Sequence, residues 1–201
     1  MTVTRGHSGT TAVAHDDNTL VRLAVGNASS ASDFTGWGIA SAGLTTTTEL
    51  RLWSEDNFGE DLLINPRDGA IYYWDRTDNL STRAVEISTE AGASDTPTIA
   101  KQILVSDQDR HVIAFGANTI GTTIQDPLLI RFSTQESLVN WTPTATNTAG
   151  DLRLGGGSEF IQAVETKQAI LVFTDKTLHA MKFIGPPFTF GLQELSKNIT
   201  I

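Results

Sequence analysis

The densest set of chemically capable side chains lies in SEDNFGED, where Glu55, Asp56, Glu60 and Asp61 place four carboxylates in one short stretch. Hard oxygen ligands of this type suit calcium. The spacing, however, departs from the Asp-x-Asp-x-Asp-Gly loop with its distal glutamate, so the stretch reads as a solvated turn. The histidines, His7, His15, His111 and His179, lie too far apart for a local metal motif, and no His-Glu-x-x-His run occurs. A Gly-x-Ser-x-Gly nucleophile elbow is also absent. Gly155, Gly156 and Gly157 precede Ser158 without the Gly-Lys-Ser/Thr ending of a phosphate cradle, and they read as a turn between repeats. No catalytic, cofactor-binding or metal-ligating residue is assigned on these patterns.

The same acidic stretch nearly matches the Asp-box of sialidase-like propellers, Ser-x-Asp-x-Gly-x-x-Trp. Ser54 and Asp56 fit, Phe58 stands where the glycine belongs, and no tryptophan follows in register. Glycoside hydrolysis needs two carboxyls at a fixed separation, one of them with a raised pKa. The sequence offers many acids and no means of choosing the pair. For a glycan-binding or glycan-cleaving module the contact candidates are Glu55, Asp56, Trp74 and Trp141. The run Tyr72, Tyr73, Trp74 could stack a sugar or a base. Strand alternation puts Tyr72 and Trp74 on one face and Tyr73 on the other, which favours core packing.

The elements that would position these side chains are strands. Apolar runs of a few residues, bounded by Asp, Asn, Gly and Pro, fill the chain, and helical periodicity is missing. Four segments align as strand, polar turn, strand: TAVAHDDNTLVRLAVG, DLLINPRDGAIYYWD, KQILVSDQDRHVIAFG and QAILVFTDKTLHAMKF. They read as the second and third strands of a repeating sheet. Asp17, Pro66, Asp107 and Asp175 share the turn position, at intervals that bracket the roughly 40 to 50 residues of a four-stranded propeller blade. His111 and His179 share one hairpin position, which reads as a structural place on a sheet face. ELRLW, RAVEIS, LLIRFS and DLRLG supply further strands, and ANTIGTTIQDP reads as a loop insertion. The segment GPPFTFG reads as a stiff corner leading into LQEL.

The fold expected is therefore all-β, a complete or partial β-propeller of antiparallel hairpins, with a two-sheet β-sandwich as the alternative. Residues 1–48 form an N-terminal hairpin plus a Ser/Thr/Gly-rich linker, and residues 49–201 form the repeat domain. A formal charge of -9 and a pI near 4.8 argue against a surface that grips nucleic acid or anionic lipid. With no cysteine, disulfides and thiolate chemistry are excluded. The start, MTVTRGHSG, has no signal-peptide pattern and no apolar run of membrane-spanning length, so a soluble, unprocessed protein is expected.

DNFGEDLLINPRDGAIYYWD, SDQDRHVIAFGAN, QDPLLIRFSTQESLVNWTPTATNTAGDLRLGGGS and QAILVFTDKTLHAMKFIGPPFTFG resemble segments of bacteriophage virion proteins of the tail-hub, tail-nozzle and packaged-DNA-stabilisation (head-to-tail connector) type. The resemblance spans Leu50 to Ile201. It implies a non-enzymatic structural protein of the virion, assembled in the host cytoplasm, that forms a homo-oligomeric ring contributing to genome retention and passage. The implied partners are copies of itself, neighbouring portal, adaptor or tail proteins, and DNA that passes through a lumen without specific binding. No cofactor and no membrane insertion are implied.

Overall fold

The computed structural model describes residues 52–78 and 80–199. The chain divides after Glu49 into two units, and the described residues belong to the second, Leu50–Ile201. The N-terminal hairpin and linker expected over residues 1–48 lie outside the described residues.

The described chain is all-β, with twelve strands in three antiparallel four-stranded sheets. The first sheet holds β1 (Trp53–Phe58), β2 (Asp61–Pro66), β3 (Tyr72–Trp74) and β4 (Val85–Glu86). The second holds β5 (Gln102–Val105), β6 (Val112–Phe115), β7 (Leu129–Phe132) and β8 (Gly150–Arg153). The third holds β9 (Phe160–Glu165), β10 (Ile170–Thr174), β11 (Thr177–Gly185) and β12 (Thr189–Lys197). Each sheet is a meander in which strands pair in chain order. Meanders follow from short turn-forming connections, which join antiparallel neighbours without a crossover. Among the described residues the only helical turn is a short 3-10 segment, Ile87–Thr89.

The sheets stack through two cores. Leu63, Ile71 and Ile87 of the first sheet and its connections meet Ile103, Val105, Val112 and Ala114 of the second. The opposite face of the second sheet, with Leu104, Ile113, Phe115, Ile130 and Phe132, meets Phe160, Ala163, Ile170, Val172 and Met181 of the third. The middle sheet is thus buried on both faces, which explains why the stretches 103–105, 112–115 and 128–130 read as continuous apolar runs rather than alternating ones. Phe115 and Phe160 stack across the second core with ring centroids 5.0 Å apart.

Four local expectations need correction. SEDNFGED is not a solvated turn: Ser54–Phe58 belong to β1, and the turn is confined to Gly59 and Glu60. A polar strand survives here because β1 is a sheet edge, half exposed along its length. The hairpin KQILVSDQDRHVIAFG forms the first and second strands of its sheet rather than the second and third, whereas the hairpins at β2–β3 and β10–β11 occupy the middle places as expected. RAVEIS contributes only the two residues of β4 before the chain turns helical at Ile87. GPPFTFG is the tip of the β11–β12 hairpin, and the strand that follows it starts at Thr189, ahead of LQEL.

Candidate functional site

The first strands of the three sheets, β1, β5 and β9, run beside one another and line a groove of about 580 Å³. Trp53, Glu55 and Asp56 come from β1, Lys101, Gln102 and Leu104 from β5 and the residue before it, and Ile161 and Gln162 from β9. Among the described residues each of these strands pairs with one neighbour, so each presents an edge that no described strand pairs. Two of the edges are closed by side chains of the preceding sheet. Ser54 Oγ accepts the Ile103 amide at 3.0 Å and Asp56 Oδ2 accepts the Val105 amide at 2.7 Å. One sheet further on, Gln102 Oε1 accepts the Ala163 amide while its Nε2 donates to the Ala163 carbonyl, both at 2.9 Å. The same device recurs because a side chain pointing toward the next sheet meets a strand edge whose N–H and C=O would otherwise be orphaned.

Longer-range contacts hold the three strands in place. Arg67, in the β2–β3 turn, donates to the Ile161 carbonyl at 3.3 Å and so joins the first sheet to the third. Lys101 pairs with Glu159 at 2.7 Å. Arg110 lies over the Phe58 ring, 4.9 Å from its centroid, and pins the β5–β6 turn to the end of β1. The Asp107 amide donates to Glu165 Oε1 at 3.1 Å, and Gln108 Nε2 donates to the Lys167 carbonyl at 3.2 Å. Burial raises the pKa of Glu165, and the nearby charges of Asp107, Asp56 and Asp109 push it the same way, against the stabilising Asp107 amide. Burial alone raises that of Asp109.

The four glycan-contact candidates are not brought together. Glu55 is exposed in the groove, on the face of β1 turned away from the second sheet. Asp56 also lines it, but both its oxygens are engaged, one by Val105 and the other by its neighbour Asn57 at 2.8 Å. Trp74 lies in β3, with its indole N–H donating to the Thr82 carbonyl at 3.2 Å. Trp141 is 1% exposed, buried between the first two sheets with its indole N–H on the Leu138 carbonyl at 2.8 Å and the Arg131 guanidinium 6.0 Å from its ring. Trp141 is therefore a core residue. The tryptophan that does face the groove is Trp53, 59% exposed. Tyr73 packs against the first core and donates its hydroxyl to Asp61, while Tyr72 and Trp74 take the opposite face, as alternation requires.

The two hairpin histidines are both buried. His111 sits in a cage of Phe132, Phe183 and Phe190, with centroids 6.5, 5.7 and 5.1 Å away, and its Nε2 contacts Thr148 Oγ1 at 3.1 Å. Burial lowers its pKa to about 4, against a smaller opposing effect of the Asp109 backbone. His179 Nε2 contacts Thr177 Oγ1 at 2.8 Å. The glycine run lies between β8 and β9, where Gly157 has φ +82° and a Cβ would come within 2.5 Å of Asp175 Oδ1. That carboxylate accepts the Ser158 amide at 2.6 Å and the Ser158 hydroxyl at 2.7 Å, so the glycine run is a turn closed on the Asp175 side chain. Among the described residues no group of three or more His, Asp or Glu is placed to hold a metal ion, and no helix is long and apolar enough to cross a membrane.

Sequence reasoning passed over Gln102, Gln162, Lys101 and Arg67. Only the recurrence of a polar residue at the same place in each first strand, Ser54, Gln102 and Gln162, signals the first two. A scan against protein-family models and searches of curated proteins and of solved structures return no match for this chain.

Proposed function

We propose that this chain is a non-enzymatic structural component of a phage virion, a sector of a β-propeller that works within an oligomeric ring of the tail or head-to-tail connector. The observation that carries the reading is the arrangement of β1, β5 and β9. Three four-stranded meanders stack face to face with their first strands side by side along one groove, which is the plan of propeller blades around an axis. The virion assignment itself rests on the resemblance of residues Leu50 to Ile201 to tail-hub and nozzle proteins.

A ring component works by shape, stiffness and contact surface, and the seams supply all three without reactive groups. Loops 117–127 and 133–148 offer contact surface for neighbouring portal, adaptor or tail proteins. The acidic balance of the chain suits a wall past which DNA moves without sticking, since like charge repels phosphate. Glycan cleavage finds less support: with Asp56 committed to the seam, the described residues of the groove offer Glu55 and no second free carboxylate to form an acid/base pair. Electron microscopy of the virion with a tagged copy of the chain tests the assignment. Label at the connector or tail is expected, and a virion without label, or turnover of a host glycan by the purified protein, would refute it.

A further inference from the structure

The cross-strand registers put the three sheets in one frame. Asp56 opposes Leu63, Leu104 opposes Ile113, and Val164 opposes Leu171. One pair along, Ser54 opposes Asn65, Gln102 opposes Phe115, and Gln162 opposes Phe173. Ser54, Gln102 and Gln162 are therefore equivalent, as are Leu63, Ile113 and Leu171. In the first two sheets this face is covered by the sheet that follows. In the third sheet it carries Gln162, Val164, Leu171 and Phe173, the close counterparts of Gln102, Leu104, Ile113 and Phe115, which are packed into the second core or bonded across it. Val164 is 44% exposed and the Gln162 side chain is exposed without a hydrogen-bond partner.

The first sheet presents the matching half. Glu55 stands where Ile103 and Ala163 receive the side chains of the preceding sheet, and it is exposed at the free edge of β1. Ile64, Tyr72, Leu62 and Trp74 share its face by cross-strand pairing. An apolar sheet face in the register of a buried one, and a strand edge without a side-chain cap among the described residues, form the two halves of a seam that no described element completes.

We propose that the outer face of the third sheet docks on the outer face of the first sheet of a second copy of this chain, head to tail, with Gln162 of one copy bridging the backbone of Glu55 in the next as Gln102 bridges Ala163. The inference rests on the ring reading and names the surface that builds the ring. A heterologous contact of this kind closes into a ring when the rotation per copy divides the circle.

The chain has no cysteine, which gives a clean test. The seam that this contact copies is spanned by the full length of the Gln102 side chain, so a short thiol-reactive crosslinker is used in place of a direct disulfide. Q162C and E55C proteins are mixed and crosslinked, and each is also crosslinked alone, beside native mass measurement of the unaltered chain and of L171E. The expected result is a covalent dimer in the mixture and in neither single variant, with loss of the native assembly in L171E at unchanged circular dichroism. An assembly that persists in L171E, or that forms without the 55–162 link, overturns the docking surface and leaves the ring intact. A monomer at all concentrations overturns both.

Discussion

Acidification singles out His111. Its imidazole is buried among Phe132, Phe183 and Phe190 at the junction of the second and third sheets, and burial holds its pKa at about 4 against 6.5 in the unfolded chain. The folded state therefore refuses a proton that the unfolded state accepts. The stability this contributes is complete above pH 6.5 and is lost as pH falls through about 4. A gap of about 2.5 in pH, at about 1.4 kcal/mol each, amounts to about 3 kcal/mol. Urea unfolding from pH 7.5 to pH 3.5 on the wild type and on His111→Leu isolates it, because carboxylate titration is common to both and cancels in the difference. The stability advantage of the wild type is expected to shrink by about 3 kcal/mol over that range. A proton NMR titration placing His111 near 6.5, or pH profiles that run parallel for the two proteins, would refute the reasoning.

Glu165 behaves in the opposite sense. Its raised pKa means that the folded state favours the protonated acid, a contribution present at low pH and lost as pH rises through the folded value. Glu165→Gln, which keeps an acceptor for the Asp107 amide, is expected to raise the melting temperature at pH 7 and to have no effect at pH 3. Asp56→Ala leaves the Val105 amide without its acceptor at the first seam and is expected to cost about 1–3 kcal/mol by urea denaturation, with Asp56→Asn recovering most of it. Gly157→Ala forces a Cβ onto Asp175 and Thr174 at positive φ and is expected to lower stability by about 2 kcal/mol, measured in the same way. Trp141→Ala empties the first core and is expected to cost about 3–5 kcal/mol, with no change in any glycan-binding assay.

What the sequence made legible follows the hydrophobic pattern. β2, β5, β6, β10 and β11 announce themselves because Leu63, Ile103, Ile113, Val172 and Met181 must be buried and their turns carry Asp or Pro. β1 stays hidden because its alternation is polar on both sides: Ser54 and Asp56 point toward the second sheet yet serve as hydrogen-bond acceptors rather than as core. The place of KQILV as a first strand was illegible for a related reason, since a first strand inside a stack is as apolar as a central one. Trp141 looked like a platform because it sits in a polar loop, TQESLVNWTPT. What buries it is the pairing of that loop with residue 94, where the Trp141 amide donates to the Ser94 carbonyl at 3.0 Å, a contact across 47 positions that no local pattern encodes. The groove along the first strands was not legible at all. Which side chains line it depends on the register of three separate hairpins, and register is set by the cores they share.

The central claim is that three blade-like sheets form part of a ring whose wall is completed by further sheets around the line of β1, β5 and β9. Single-particle electron microscopy of the purified protein tests it most directly. Closed rings with radially stacked sheets and the first strands facing a common bore are the expected result. Isolated particles holding three stacked sheets, with the face of Val164, Leu171 and Phe173 open to solvent, would contradict it.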